Sequence, residues 1–99
     1  MQNAVWVIQF KLKKGVTAEE FLTASQKCQD EVISQQKGYL SWKQLVDGDT
    51  WIDVIEWQTR EDADAALTAG ASNPAAQEFY AKMNINSVKH QTLSVAKVY

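Results

Sequence analysis

The sequence predicts an α+β domain in which four antiparallel strands form one sheet and the helices share one of its faces. Three observations carry that expectation. Apolar residues alternate along three separate segments, and an Asp-Gly turn joins the second of these to the third. A Val- and Thr-rich tail supplies a fourth strand. The stretches before the second strand and after the third carry helix start signals instead.

Residues 4 to 12, "AVWVIQFKL", place Trp6, Ile8, Phe10 and Leu12 on one side and Val5, Val7, Gln9 and Lys11 on the other, so this strand separates two environments. The stretch "TAEEFLTASQKCQDEVISQQ" opens with a capping box from Thr17 to Glu20. Its apolar stripe is Phe21, Cys28 and Val32, backed by Leu22 and Ile33, and Gly38 ends it. "YLSWKQLV" and "TWIDVIEWQ" are then two strands joined through "DGD", with the turn at either Asp47-Gly48 or Gly48-Asp49. In "TREDADAALTAGA", Thr59 is an N-cap followed by acids, and Ala63, Ala66 and Leu67 form a narrow apolar stripe. Asn73 before Pro74 restarts the helix, because Asn caps well and Pro suits the first helical position; Phe79 and Met83 then face inward. "INSVKHQTLSVAKVY" closes the chain as the last strand. The order is β-α-β-β-α-β with the second helix broken in two, a ferredoxin-like arrangement that leaves one sheet face without cover from the chain itself.

Ninety-nine residues fit a single domain, residues 1–99, and a chain that is 45% hydrophobic and 22% charged is ordinary for a soluble protein. A net charge of -2 with scattered basic residues gives no electrostatic reason to expect nucleic acid or an anionic membrane. No apolar run approaches the roughly 20 residues that cross a bilayer, and the first residues lack the pattern of a signal peptide, so the expected location is cytoplasmic. The single cysteine, Cys28, forms no internal disulfide and reads as a small core residue. Glycine-rich phosphate loops, histidine-carboxylate metal spacings and nucleophile elbows are absent from the sequence, which disfavours nucleotide-dependent and metal chemistry.

In the hairpin, either turn gives the same pairing parity. Leu40, Trp42, Gln44 and Val46 fall with Trp51, Asp53, Ile55 and Trp57, while Tyr39, Ser41, Lys43 and Leu45 fall with Ile52, Val54 and Glu56. Both sets are mixed, so pattern leaves open which one meets the helices. Three tryptophans on an open face would make a patch of about 450 Å² or more, which a monomer seldom leaves in water. The expectation is a homodimer closing through the open face into a barrel, with Gln44 and Asp53 as polar groups in its lumen.

"FKLKKG", "GYLSWKQL", "EWQTREDADAA", "NPAAQEFY" and "NINSVKH", in this order over nearly the whole chain, resemble the antibiotic biosynthesis monooxygenase-like domains of the dimeric α+β barrel superfamily. The resemblance implies a homodimeric barrel with a cavity in each protomer between the sheet and the helices or loops at its edge. It also implies an oxygenase that uses no added flavin or metal and oxidises aromatic polyketides or quinols. In the aromatic-polyketide branch a strand tryptophan lines the cavity, and Trp57 matches it. Asp53 stands where that branch has asparagine, Gln44 where it has a strand tyrosine, Ala63 near the place of a helical tyrosine, and Tyr80 near that of an arginine. The haem-degrading branch requires a histidine and a tryptophan on the second helical region, where this chain has alanines or Tyr80.

The candidate proton-handling residues are Asp53, whose pKa would rise in a dry lumen, and His90, which titrates near neutrality. Trp57, Trp42, Gln44, Tyr80 and Gln9 are the candidate ligand contacts; Gln9 qualifies if the face opposite Trp6 lines the lumen. Against these stand plainer roles: Trp57 as packing, Asp53 paired with Lys43 or Lys11, His90 facing solvent, Tyr80 as a surface residue. Two functions remain open: a cofactor-independent oxygenase acting on a small aromatic or quinol-type molecule, and a non-catalytic dimeric binding or interaction module.

Overall fold

In the computed structural model, which describes residues 3–99, the sheet has strands β1 (Ala4–Lys11), β2 (Tyr39–Asp47), β3 (Thr50–Trp57) and β4 (Lys89–Ser94), ordered β2-β3-β1-β4 and antiparallel throughout. Helices α1 (Ala18–Glu31), α2 (Arg60–Ala71) and α3 (Pro74–Ala81) account for the rest of the regular structure, with short 3-10 turns at Ile33–Gln35 and Ile85–Ser87. The expected caps close the helix starts. Thr17 Oγ1 accepts from Glu20 N at 3.1 Å, Thr59 Oγ1 from Asp62 N at 3.0 Å and Asn73 Oδ1 from Ala75 N at 2.8 Å. Among the described residues no helix is long and apolar enough to cross a membrane.

The tryptophan-bearing face is the one the helices cover, which corrects the expectation that it is left open for a second copy. Trp6, Ile8, Phe10, Trp51, Ile55 and Trp57 are buried, and helix residues Phe21, Phe79 and Met83 pack with them. Phe21 meets Trp51 edge-on with ring centroids 5.0 Å apart and stacks on Phe79 at 5.2 Å. A domain of this size needs its largest apolar side chains for its one core. The other face carries Lys43, Glu56, Lys89 and Gln91 among Val5, Val7, Ile52 and Val54, and among the described residues no helix of this chain packs on it.

Local details refine or correct the sequence reading. A bulge between Tyr39 and Ser41 pairs Tyr39 with Trp57 and turns Leu40 outward, so Tyr39 joins the helix side and meets Trp57 edge-on at 6.0 Å. The hairpin turn is Gly48-Asp49, with Asp47 paired to Thr50 and Gly48 at φ 62°, the glycine-first pattern of a type II′ turn. The last strand is shorter than its Val- and Thr-rich composition suggested. Asn84 Oδ1 accepts from Asn86 N at 3.1 Å and sets a 3-10 turn where an extended strand was expected. Leu22, expected on the apolar stripe of α1, lies on its exposed side.

Candidate functional site

Strand register lines up Gln44, Asp53, Ile8 and His90 in one row on the helix-covered face. Asp53 sits at the centre of the sheet with 0% exposure. Neither of its carboxylate oxygens has a hydrogen-bond partner. The Gln44 amide and the Trp42 indole N–H approach it without forming a well-aligned hydrogen bond. Burial drives its pKa from 3.8 up to about 7, and these two donors draw it only partly back. The lysine pairings considered from sequence do not occur: Lys11 binds Asp49 at 3.5 Å, and Lys43 projects from the opposite face.

Beside this acid, between the sheet and the helices, is a cavity of about 290 Å³. Trp6, Ile8 and Ile55 form its floor, Cys28 and Ile33 one side, and Trp42, Phe79 and Tyr80 another. Ala66, Leu67, Gly70 and Ala71 of α2 and Ala76 of α3 form the roof. The void exists because these helices present mainly alanine and glycine to the sheet, too little volume to fill the space. Its lining carries no formally charged side chain.

Asp53 lies behind this wall, near enough for its charge to act on two of the lining residues. Burial first, and then the Asp53 charge, raise the Cys28 thiol to about 12. The Tyr80 phenol is raised to about 12 by burial, then by Cys28 and Asp53. Both groups therefore hold their protons at neutral pH. Phe79 fixes the neighbouring rings edge-on, Trp42 at 5.5 Å and Tyr80 at 5.2 Å.

The structure sorts the other candidates. Trp42 and Tyr80 line the cavity. Trp57 is fully buried behind it, against Trp6 at 4.8 Å. Gln44 lines a separate cleft, described below. Gln9 is exposed on the outer face beside Ile52 and Lys89, with the sheet between it and the cavity. His90 shares a row with Asp53 but stands on edge strand β4 with Ile8 between them. Two strand spacings put the pair roughly 10 Å apart. Its ring lies edge-on to Trp6 at 5.3 Å, and burial lowers its pKa. Trp6, Cys28 and the end of α2 were not singled out from the sequence as site residues; the run "AALTAGA" was the signal, a helix with little to fill the core.

Fold and site together define a ferredoxin-like α+β domain with an apolar cavity inside the protomer and a buried, unpaired acid behind its wall. The sequence matches no family model, and no curated protein matches it. Solved structures do. SnoaB, a cofactor-independent oxygenase from Streptomyces nogalater, superposes with a TM-score of 0.78 at 16% identity, covering 99% of this chain and 97% of that one. The ActVA-Orf6 monooxygenase of Streptomyces coelicolor, solved with the ligand Nanaomycin D, gives 0.72 at 15% identity, covering 99% and 91%. A putative antibiotic biosynthesis monooxygenase from Chloroflexus aurantiacus J-10-fl gives 0.67 at 14%, covering 98% and 96%. The chain has the fold of the antibiotic biosynthesis monooxygenases.

Proposed function

We propose that this protein is a cofactor-independent oxygenase that binds a flat, uncharged phenol- or quinol-type molecule in the protomer cavity and uses Asp53 to take up its proton. The observation that carries the reading is a carboxyl with no partner, held near neutrality, behind the wall of an apolar cavity, in a fold shared with cofactor-independent oxygenases. An apolar wall without charge favours a neutral aromatic ligand, and Trp42, Phe79 and Tyr80 offer ring faces and edges to it.

Asp53, its pKa raised by burial to about 7, accepts in its ionised form a proton from an acidic C–H or O–H of the ligand. The relay in this reading is the Tyr80 hydroxyl, which keeps its proton, lines the cavity and lies within reach of the Asp53 charge. The electron-rich ligand anion then gives its electron pair to dioxygen, forming a carbon–oxygen bond. Loss of water from the resulting hydroperoxide leaves a carbonyl. For a phenol whose keto tautomer carries a methylene, that centre and one dioxygen thus become a carbonyl and one water: dioxygen is the oxidant, one of its atoms is kept in the product, and the other leaves as water with the two methylene hydrogens. A second copy of the chain covers the outer sheet face.

Oxygen consumption with a panel of quinols, hydroxynaphthalenes and anthrone-type compounds tests the reading, alongside quenching of tryptophan fluorescence. The expected result is quenching and oxygen uptake for at least one neutral two- or three-ring compound, with uptake reduced about 100-fold or more in Asp53→Asn. Quenching without uptake would assign the protein to the binding-module class instead. An undiminished rate in Asp53→Asn would remove Asp53 from the mechanism.

A further inference from the structure

A second void lies on the other side of Trp42. It is an open cleft of about 270 Å³ between α1 and β2, lined by Leu22, Ser25, Gln26, Gln29, Trp42 and Gln44. In contrast to the cavity it is rich in amides and a hydroxyl. Gln44 faces Asp53 directly across the β2–β3 ladder. Its Nε2 donates to Ser25 Oγ at 3.0 Å, and that hydroxyl donates to the Phe21 carbonyl at 2.8 Å. Gln29 Nε2 donates to the Tyr39 hydroxyl at 2.8 Å, while its Oε1 is buried without a partner. An unpaired amide oxygen at the inner end of a polar cleft is a place where water binds.

The geometry points to this cleft as the route by which Asp53 exchanges its proton with solvent, with Gln44 as the positioning residue that opens and closes it. The inference rests on the reading of Asp53 as the proton acceptor and adds where the proton goes next. A ligand filling the cavity blocks that side, because Trp42, Cys28 and Tyr80 are then covered. The cleft stays open, and Gln44, which lines it and faces Asp53 across the strand ladder, stands between the cleft and the carboxyl. When the amide swings off Ser25, water reaches the carboxyl and the proton leaves. When it returns, the carboxyl is sealed again. Ligand and solvent thus reach one acid from opposite sides of Trp42, and the cavity stays dry through a turnover.

The titratable groups that face Asp53 from packed elements are Cys28 on α1 and Tyr80 on α3, both protonated through neutral pH, and His90 on β4 beyond Ile8. From α2 the core receives Ala63 and Ala66, which do not titrate. A change in the Asp53 midpoint on altering Gln44 therefore reports water and hydrogen bonding at the carboxyl itself.

The test is the titration of Asp53, followed by the 13C shift of its carboxyl, in Gln44→Ala and Gln44→Leu. Truncation to alanine opens the route, so the midpoint falls from about 7 by roughly one pH unit or more as water solvates the carboxylate. Leucine keeps the seal and removes the donor, so its midpoint stays or rises. If the alanine variant also stays or rises, no water enters from the cleft and the inference is overturned; it is equally overturned if leucine falls as alanine does. The readout is independent of turnover, so failure of the oxygenase reading shows separately, in the oxygen assay. Gln44 is on an edge strand and half-buried, which makes both variants compatible with folding.

Discussion

An ionised carboxylate without a well-aligned donor, in a place without solvent contact, makes the folded state sensitive to pH. The folded chain holds the Asp53 proton up to about 7, whereas the unfolded chain releases it near 3.8. Between those values the folded state binds more protons at this site, so the Asp53 contribution to stability is greatest below about pH 4, falls as pH rises and levels off above about pH 7. The loss is on the order of 4 kcal/mol. Replacing Asp53 with asparagine removes it. Chemical denaturation at about pH 8 is expected to show Asp53→Asn more stable than the parent by about 2 to 4 kcal/mol, with the difference nearly gone at about pH 4. A buried acid that costs the fold stability is compatible with a working role, which the oxygen assay of Asp53→Asn tests. At this scale the sequence was informative in part. Hairpin parity put Asp53, Trp42 and Gln44 on one face, since a two-residue turn fixes it. It could not place Trp57 behind the cavity or His90 beyond Ile8, because parity gives the side of a sheet and not the distance across it.

Each element was recognisable where a capping or turn residue carries a specific mechanism, and less so where backbone irregularity intervenes. Thr17, Thr59, Asn73-Pro74 and the glycine of the hairpin all act as their chemistry requires. The bulge at Tyr39–Ser41 has no such signature, and it alone moved Tyr39 onto the helix side. Gly38, just before β2, has φ 84°, and a Cβ there would collide with the Asp62 side chain at the start of α2. Its carbonyl also accepts from Gln58 N at 2.8 Å. Gly38→Ala therefore meets both backbone strain and a clash, and thermal unfolding should show a loss of about 2 kcal/mol or more. Gly70 is the contrasting case. A Cβ there meets open space, so Gly70→Ala should raise stability by about 0.5 to 1 kcal/mol through helix propensity. The cavity was hidden for a related reason: it is made by side chains that are missing, and "AALTAGA" reads first as a weak helix rather than as a roof.

On the scale of the whole molecule, the sheet divides two tasks. One face joins the helices in the core and the cavity, while the other exposes a band of Val5, Val7, Ile52 and Val54 flanked by Leu45 and Leu93, with charged residues at its margins. The pattern could not assign these faces because each mixes apolar and polar residues, and the tryptophans, expected at an interface, belong to the core instead. With the core settled, the outer band is the surface assigned to the proposed second copy, since a two-layer α+β domain leaves it uncovered. Sedimentation at micromolar concentration is expected to give a dimer, and Val54→Lys, which sets a charge in the centre of that band, a folded monomer. A monomeric parent protein would remove the second copy from the account.

Asp53, held near neutrality by burial beside a cavity of about 290 Å³, is the group on which the proposed chemistry depends. The most direct measurement is the titration of its side-chain carboxyl by 13C NMR between about pH 3 and 9, a range that spans both the ordinary and the raised carboxyl. The expected midpoint is about 7, above the ordinary 3.8 of an exposed aspartate. A midpoint near the ordinary 3.8 would mean that solvent or a partner reaches the group, and would contradict the claim.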